Sequence, residues 1–245
     1  STYDMDGSKG EVRAIRTWQD NIYCFQDLGI SKILFNSRVQ IPTSDGVPIE
    51  ISNSYKVDGY RYISDGIGCT NKWTISNTPS GLYFADTKTN HLHHIGSQGI
   101  QDVTTIHNMT SWFNNVDSNR ITKTLHDDVN HDLYALTSNE SICYSEVLGN
   151  FTSFMSYQGI SLIESYENSV YTMKDGKLYS MFTGEYNKFF GVNYEPWDFT
   201  FISNGIDNNL MDFDKVYSTI DYRMDMMSDT GYLHDNSLDF IRVYN

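Results

Sequence analysis

Positive charge is scarce in this chain. Lys and Arg total 17 against 31 Asp and Glu, which leaves a formal charge of −14 and a pI near 4.7. Grip on nucleic acid through its phosphates needs a basic surface, so composition argues against that partner. Long apolar runs are missing as well. No stretch approaches the ~20 residues of a membrane-spanning helix, and the opening STYDMDGSKG lacks the basic and hydrophobic layout of a signal peptide. Proline is rare, with 4 in 245 residues. The 3 cysteines, Cys24, Cys69 and Cys143, are odd in number and without Cys-x-x-Cys spacing. Cys24 and Cys143 fall inside apolar strand patterns and read as buried free thiols. Gly-x-Ser-x-Gly elbows, phosphate-binding Gly-Lys-Ser/Thr loops and His-Glu-x-x-His helices do not occur.

Aromatic residues make up 14%, led by 18 Tyr, and with so little Pro this favours strands over helices. The organising stretch is Asn71 to Thr105. Trp73 to Ile75, Leu82 to Ala85 and His91 to Ile95 read as three short strands, separated by turn signals at Asn77 to Gly81 and Asp86 to Asn90. A meander of that size cannot bury its apolar face alone. Its neighbours are the other places where an aliphatic residue and a Tyr open a strand: Ile22-Tyr23, Leu133-Tyr134 and Val170-Tyr171. Together with Leu82-Tyr83 these are spaced by 60, 51 and 37 residues. That brackets the roughly 40 to 50 residues of a four-stranded propeller blade.

The expectation is an all-β fold: a β-propeller of about five or six blades built from antiparallel meanders. Residues 1–10 form a flexible N-terminal segment and 11–245 the propeller domain. Arg38 to Ile51 reads as a hairpin. Asn53 to Cys69, with three glycines, reads as a long excursion between blades. Thr105 to Asn119 carries apolar residues at helical steps and predicts one short helix. Phe199 to Ile202, Val216 to Met224 and Leu238 to Tyr244 read as longer strands. Ser1 is no initiator Met and the chain stops in mid-strand, so it is expected to be a piece of a longer protein.

Carboxylates around a propeller channel can hydrolyse glycosides. Here Asp45, Asp86, Asp127, Asp128, Asp175 and Asp207 all sit where a turn needs an Asp. Asp128-x-Asn130-x-Asp132 has the first oxygen positions of a calcium loop, but Leu133 and Asn139 occupy its glycine and final acidic positions, so an acidic hairpin turn is expected. His91-x-His93 places two imidazoles on one strand face without a third metal ligand, and reads as a pair of solvent-facing histidines. No catalytic residue, metal site or cofactor is expected. Contacts are expected from the aromatic and Arg side chains of the excursion, Tyr55, Tyr60, Arg61 and Tyr62, for which packing between blades is the competing role.

Several phrases resemble the tail muzzle or stabilisation proteins of crAss-like bacteriophages. They are Pro48 to Ser54, Val57 to Ser64, Gly68 to Trp73, Pro79 to Asp86, Ile142 to Glu146, Phe151 to Phe154 and Lys174 to Tyr179. The resemblance spans about Ser44 to Asn204, with the strands from Asp214 to Asn245. It implies a non-enzymatic role in the virion: copies of the chain in a ring at the phage tail, touching other tail proteins, with no nucleic acid and no membrane insertion. It supplies no catalytic residues. A glycan-binding propeller and a five-bladed glycoside hydrolase are the alternatives.

Overall fold

Side chains on a strand alternate between its two faces, and this chain buries both. On Leu82–Ala85, Leu82 and Phe84 pack into one apolar cluster while Tyr83 and Ala85 pack into another. A sheet apolar on both faces needs a sheet on either side. A computed structural model shows how that need is met; it describes residues 4–35, 38–41, 49–52, 57–155, 157, 159–184, 188–193, 226–227 and 233–234.

The first sheet is formed by β1 (Val12–Trp18), β2 (Asn21–Gln26) and β3 (Gly29–Phe35), joined on its far side by β6 (Val57–Asp65). Between β3 and β6 the chain makes the expected hairpin, β4 (Arg38–Ile41) against β5 (Ile49–Ser52). The second sheet runs β7 (Ile75–Asn77), β8 (Leu82–Ala85), β9 (Leu92–Gly96), β10 (Gly99–Asp102). The third runs β11 (Lys123–Asp127), β12 (Asp132–Leu136), β13 (Ser141–Ser145), β14 (Asn150–Met155). The fourth has β15 (Ile160–Tyr166), β16 (Ser169–Lys174) and β17 (Lys177–Ser180). Every strand pairing among the described residues is antiparallel. Each sheet is a meander, with the hairpin as an insertion into the first. Two further pairs, β18 (Lys188–Phe189) with β19 (Val192–Asn193) and β20 (Met226–Met227) with β21 (Leu233–His234), belong to a separate unit. Contacts group the chain as Ser1–Met181 and Phe182–Asn245.

Phe25, Ile30, Ile75, Leu82, Phe84 and Ile95 fill the space between the first and second sheets. Tyr83, Leu92, Leu133, Ile142 and Tyr144 fill that between the second and third, together with Phe113 from the connection. That connection departs from the single helix expected over 105–119. It holds three one-turn helices, α1 (Val103–Ile106), α2 (Thr110–Phe113) and α3 (Val116–Asn119). Asn108 takes φ +58 between the first two, which no continuing right-handed helix permits. Buried Asn90 holds the connection down: its amide donates to the carbonyls of Phe113 and Asn119, and its side-chain oxygen accepts from the Ile121 amide.

Two further expectations are corrected. The excursion over 53–69 is largely strand, because seven of the nine residues of β6 find a partner in β3 that local glycine content does not reveal. Gly59, at φ +151, accompanies the register shift where Leu34 pairs with Gly59 and Phe35 with Val57. Trp73 lies in a 3-10 turn, Lys72–Thr74, so the strand there begins only at Ile75. Residues 6–10 lie against the first sheet, with the Gln26 amide donating to the carbonyls of Asp6 and Gly10. The longer strands expected after residue 198 fall outside the described residues.

Candidate functional site

Each repeated Tyr lies on the second strand of its sheet, and each faces one residue of the first strand. The register pairs are Arg16 with Tyr23, Ser76 with Tyr83, Leu125 with Tyr134 and Glu164 with Tyr171. Arg16, Ser76, Leu125 and Glu164 all line one cleft of about 630 Å³. The first strands of the four sheets therefore face a common space at a common register. Neighbouring first strands also run the same way. Asn71 donates to the Thr122 carbonyl, and further along the Ser76 and Thr124 hydroxyls meet at 2.7 Å. Between the first and second sheets the Asn77 amide donates to the Thr17 carbonyl.

At the far end of these strands lies a buried ionic network. His126, with 3% of its side chain exposed, is the next-to-last residue of β11 and has both ring nitrogens engaged: Nε2 with Glu146 Oε2 at 2.8 Å and Nδ1 with Asp128 Oδ1 at 2.9 Å. An imidazole held between two carboxylates donates from both nitrogens, which favours its charged form. Burial opposes that charge, but the hydrogen bonds to Glu146 and Asp128 outweigh it and the His126 pKa rises. Burial also works against the Glu146 carboxylate. Its bonds from His126, Ser80 and Thr78 outweigh this and hold its pKa at about 2. Glu146 Oε1 accepts from the hydroxyls of Thr78, at 2.9 Å, and Ser80. Thr78 and Ser80 belong to the β7–β8 turn, so the network fastens the second sheet to the third.

Glycoside hydrolysis needs a carboxylic acid kept protonated beside a carboxylate. Glu146 has the opposite character, and Asp128 is engaged by the same imidazole.

The near end of the cleft carries cations. Arg16 lies on β1, Lys72 begins the 3-10 turn before β7, and Lys123 opens β11. The Arg16 guanidinium donates to the carbonyls of Ile15 and Lys72. The Lys72 ammonium sits 5.0 Å from the centre of the Trp73 ring.

Of the side chains that the sequence singled out, Tyr55 lies outside the described residues. Tyr60, Arg61 and Tyr62 all stand on β6, the outermost strand of the first sheet, away from the cleft. Tyr60 and Tyr62 meet edge to face at 5.6 Å, and the Tyr62 hydroxyl donates to buried Gln26 at 2.6 Å. Tyr62 thus packs onto its own sheet, while Arg61 is exposed opposite Lys32. His91 and His93 are buried rather than solvent-facing: His91 Nδ1 bonds Asp102 at 2.8 Å, and His93 stacks on Phe84. Among the described residues no cluster of His, Cys, Asp or Glu could hold a metal ion. The Asp128 to His131 stretch forms the expected turn, capped by buried Asp127, which accepts from the Val129 and Asn130 amides. Arg16, Lys72, Lys123, His126 and Glu146 were not singled out by sequence, although the residues facing each repeated Tyr point to the cleft.

Four antiparallel sheets whose first strands line one cleft define an all-β scaffold. The family profile described as Crassvirus muzzle protein matches residues 1–176. Over 253 aligned positions the chain is 41% identical to the muzzle protein of Bacteroides phage crAss001, an alignment that covers 100% of this chain and 18% of that protein. The chain belongs to the Crassvirus muzzle protein family, and so to the components of a phage virion. It spans 18% of the length of the relative it matches.

Proposed function

We propose that this chain is a non-enzymatic structural module of a phage tail, and that its four meanders are successive blades of a β-propeller of about five or six blades over residues 11–245. The observation that carries this reading is the shared register: one residue opposite each repeated Tyr, from four consecutive sheets, lines a single cleft. Radial repetition protects strand edges, and the first strand of each meander is then the innermost. On this reading copies of the protein form a ring and touch other tail proteins. The outer strands supply contacts, with the exposed Arg61 and its neighbours Tyr60 and Tyr62 on β6, and Tyr55 ahead of them, as the contact set.

The test is immunogold labelling of intact phage with antibody raised against this chain. Gold confined to the tail supports the reading, and gold on the capsid shell or none on intact particles overturns it.

A further inference from the structure

Arg16, Lys72 and Lys123 gather at one end of the cleft without a carboxylate to answer them. Their closeness follows from the bonds around them: the Arg16 guanidinium reaches the Lys72 carbonyl, and Asn71 is tied to Thr122. None of the three pairs with a carboxylate among the described residues. The cleft has two acidic side chains of its own. Asp128 is engaged by His126 beyond the end of β11, about 16 Å of strand from Lys123 at ~3.3 Å per residue. Glu164 stands on β15 and forms no ion pair with the three. In a chain of net charge −14, three cations at the inner edges of three consecutive sheets line one end of a single cleft. Like charges held together cost free energy that a bound anion relieves.

The adjoining surface narrows the kind of anion. Trp73 is 57% exposed, beside this group and on the cleft wall. An indole offers a flat apolar face, against which the C–H face of a pyranose can lie. Two donors of Arg16 are used on carbonyls, and the rest of its fork suits a carboxylate. A space of about 630 Å³ fits a ligand of one or two sugar rings. The chain's overall negative charge disfavours a polyanion. We propose that this end of the cleft is a binding site for a carboxylated sugar, the carboxylate held by Arg16, Lys72 and Lys123 and the ring lying on Trp73. The site does not depend on where in the virion the protein sits.

The experiment is isothermal titration calorimetry of the full-length protein with four probes: D-glucuronate, D-glucose, inorganic phosphate and poly-L-glutamate. Saturable glucuronate binding is expected, at least tenfold tighter than phosphate, with none for glucose. Arg16→Ala and Lys123→Ala should each weaken glucuronate at least tenfold. Trp73→Ala should remove the preference over phosphate while leaving phosphate binding in place. Circular dichroism and urea unfolding of each variant separate a lost ligand from a lost fold. Glucuronate binding no tighter than phosphate, or variants that are folded and bind glucuronate normally, would overturn the proposal. Tighter binding of poly-L-glutamate than of glucuronate would overturn it too, in favour of an acidic protein segment.

Discussion

His126 Nε2 lies 2.8 Å from Glu146 Oε2, and this contact, 3% and 11% exposed on its two sides, joins the last residues of β11 to the turn after β13. Through the other oxygen of Glu146 it reaches across to the β7–β8 turn of the neighbouring sheet. Removing one partner of such a buried pair strands the other's charge, at a cost of about 3–5 kcal/mol. His126→Ala should lower stability by about that amount in urea unfolding. The double variant His126→Ala/Glu146→Gln should cost less than the sum of the two single changes. Strict additivity would mean that the two side chains do not interact.

Acidity should act on the same network with a definite sign. The folded pKa of Glu146, about 2, is below its ordinary 4.5, so its contribution is full above pH 4.5 and fades as pH falls towards 2. The folded pKa of His126 is above its ordinary 6.5, so its contribution is full below pH 6.5 and fades as pH rises through the raised value. His94, whose pKa burial lowers, titrates nearby, so the network is read as the stability difference between the wild type and His126→Gln/Glu146→Gln. That difference should be greatest between pH 4.5 and 6.5 and decline on both sides. A difference flat from pH 2 to 9 would contradict the assignment.

Gly68 shows how closely the sheets are joined. A Cβ there would stand 2.5 Å from the carbonyl oxygens of both Gln26 and Asp27, backbone atoms that cannot step aside. The Gly68 amide also donates to buried Asp86, which holds the β8–β9 turn through the amides of Lys88 and Thr89. Gly68→Ala should destabilise by about 1–3 kcal/mol or more. Gly7→Ala, with nothing within 4 Å of the added carbon, should stay within about 0.5 kcal/mol. Thermal unfolding of the two variants side by side decides this.

The three thiols should be silent in the folded protein. Cys24, Cys69 and Cys143 are free and buried. Burial pushes the Cys69 and Cys143 pKa values up to about 11, and that of Cys24 upward as well. The thiolate is the reactive species. Iodoacetamide at neutral pH should label none of them until urea unfolds the chain, and then all 3. Rapid labelling of native Cys69 would show that its site opens.

Much of the fold was legible because alternation is a local signal. The aliphatic-Tyr pairs mark the second strand of all four sheets, and through them the register of the cleft. Lost from view was whatever depends on distant partners. β6 is a strand because β3 lies beside it, and the 105–119 helix is broken where Asn108 turns left-handed and Asn90 gathers the connection from outside. The network around His126 draws on Thr78, Ser80, Asp128 and Glu146, up to 68 residues apart. No local spacing rule brings them together.

The most direct test is a cryo-electron microscopy map of the intact virion that resolves side chains in the tail. The account predicts β1, β7, β11 and β15 side by side around one axis, with Arg16, Ser76, Leu125 and Glu164 facing it, repeated in a ring of identical copies. Sheets stacked without a common axis, or density for this chain outside the tail, would contradict it.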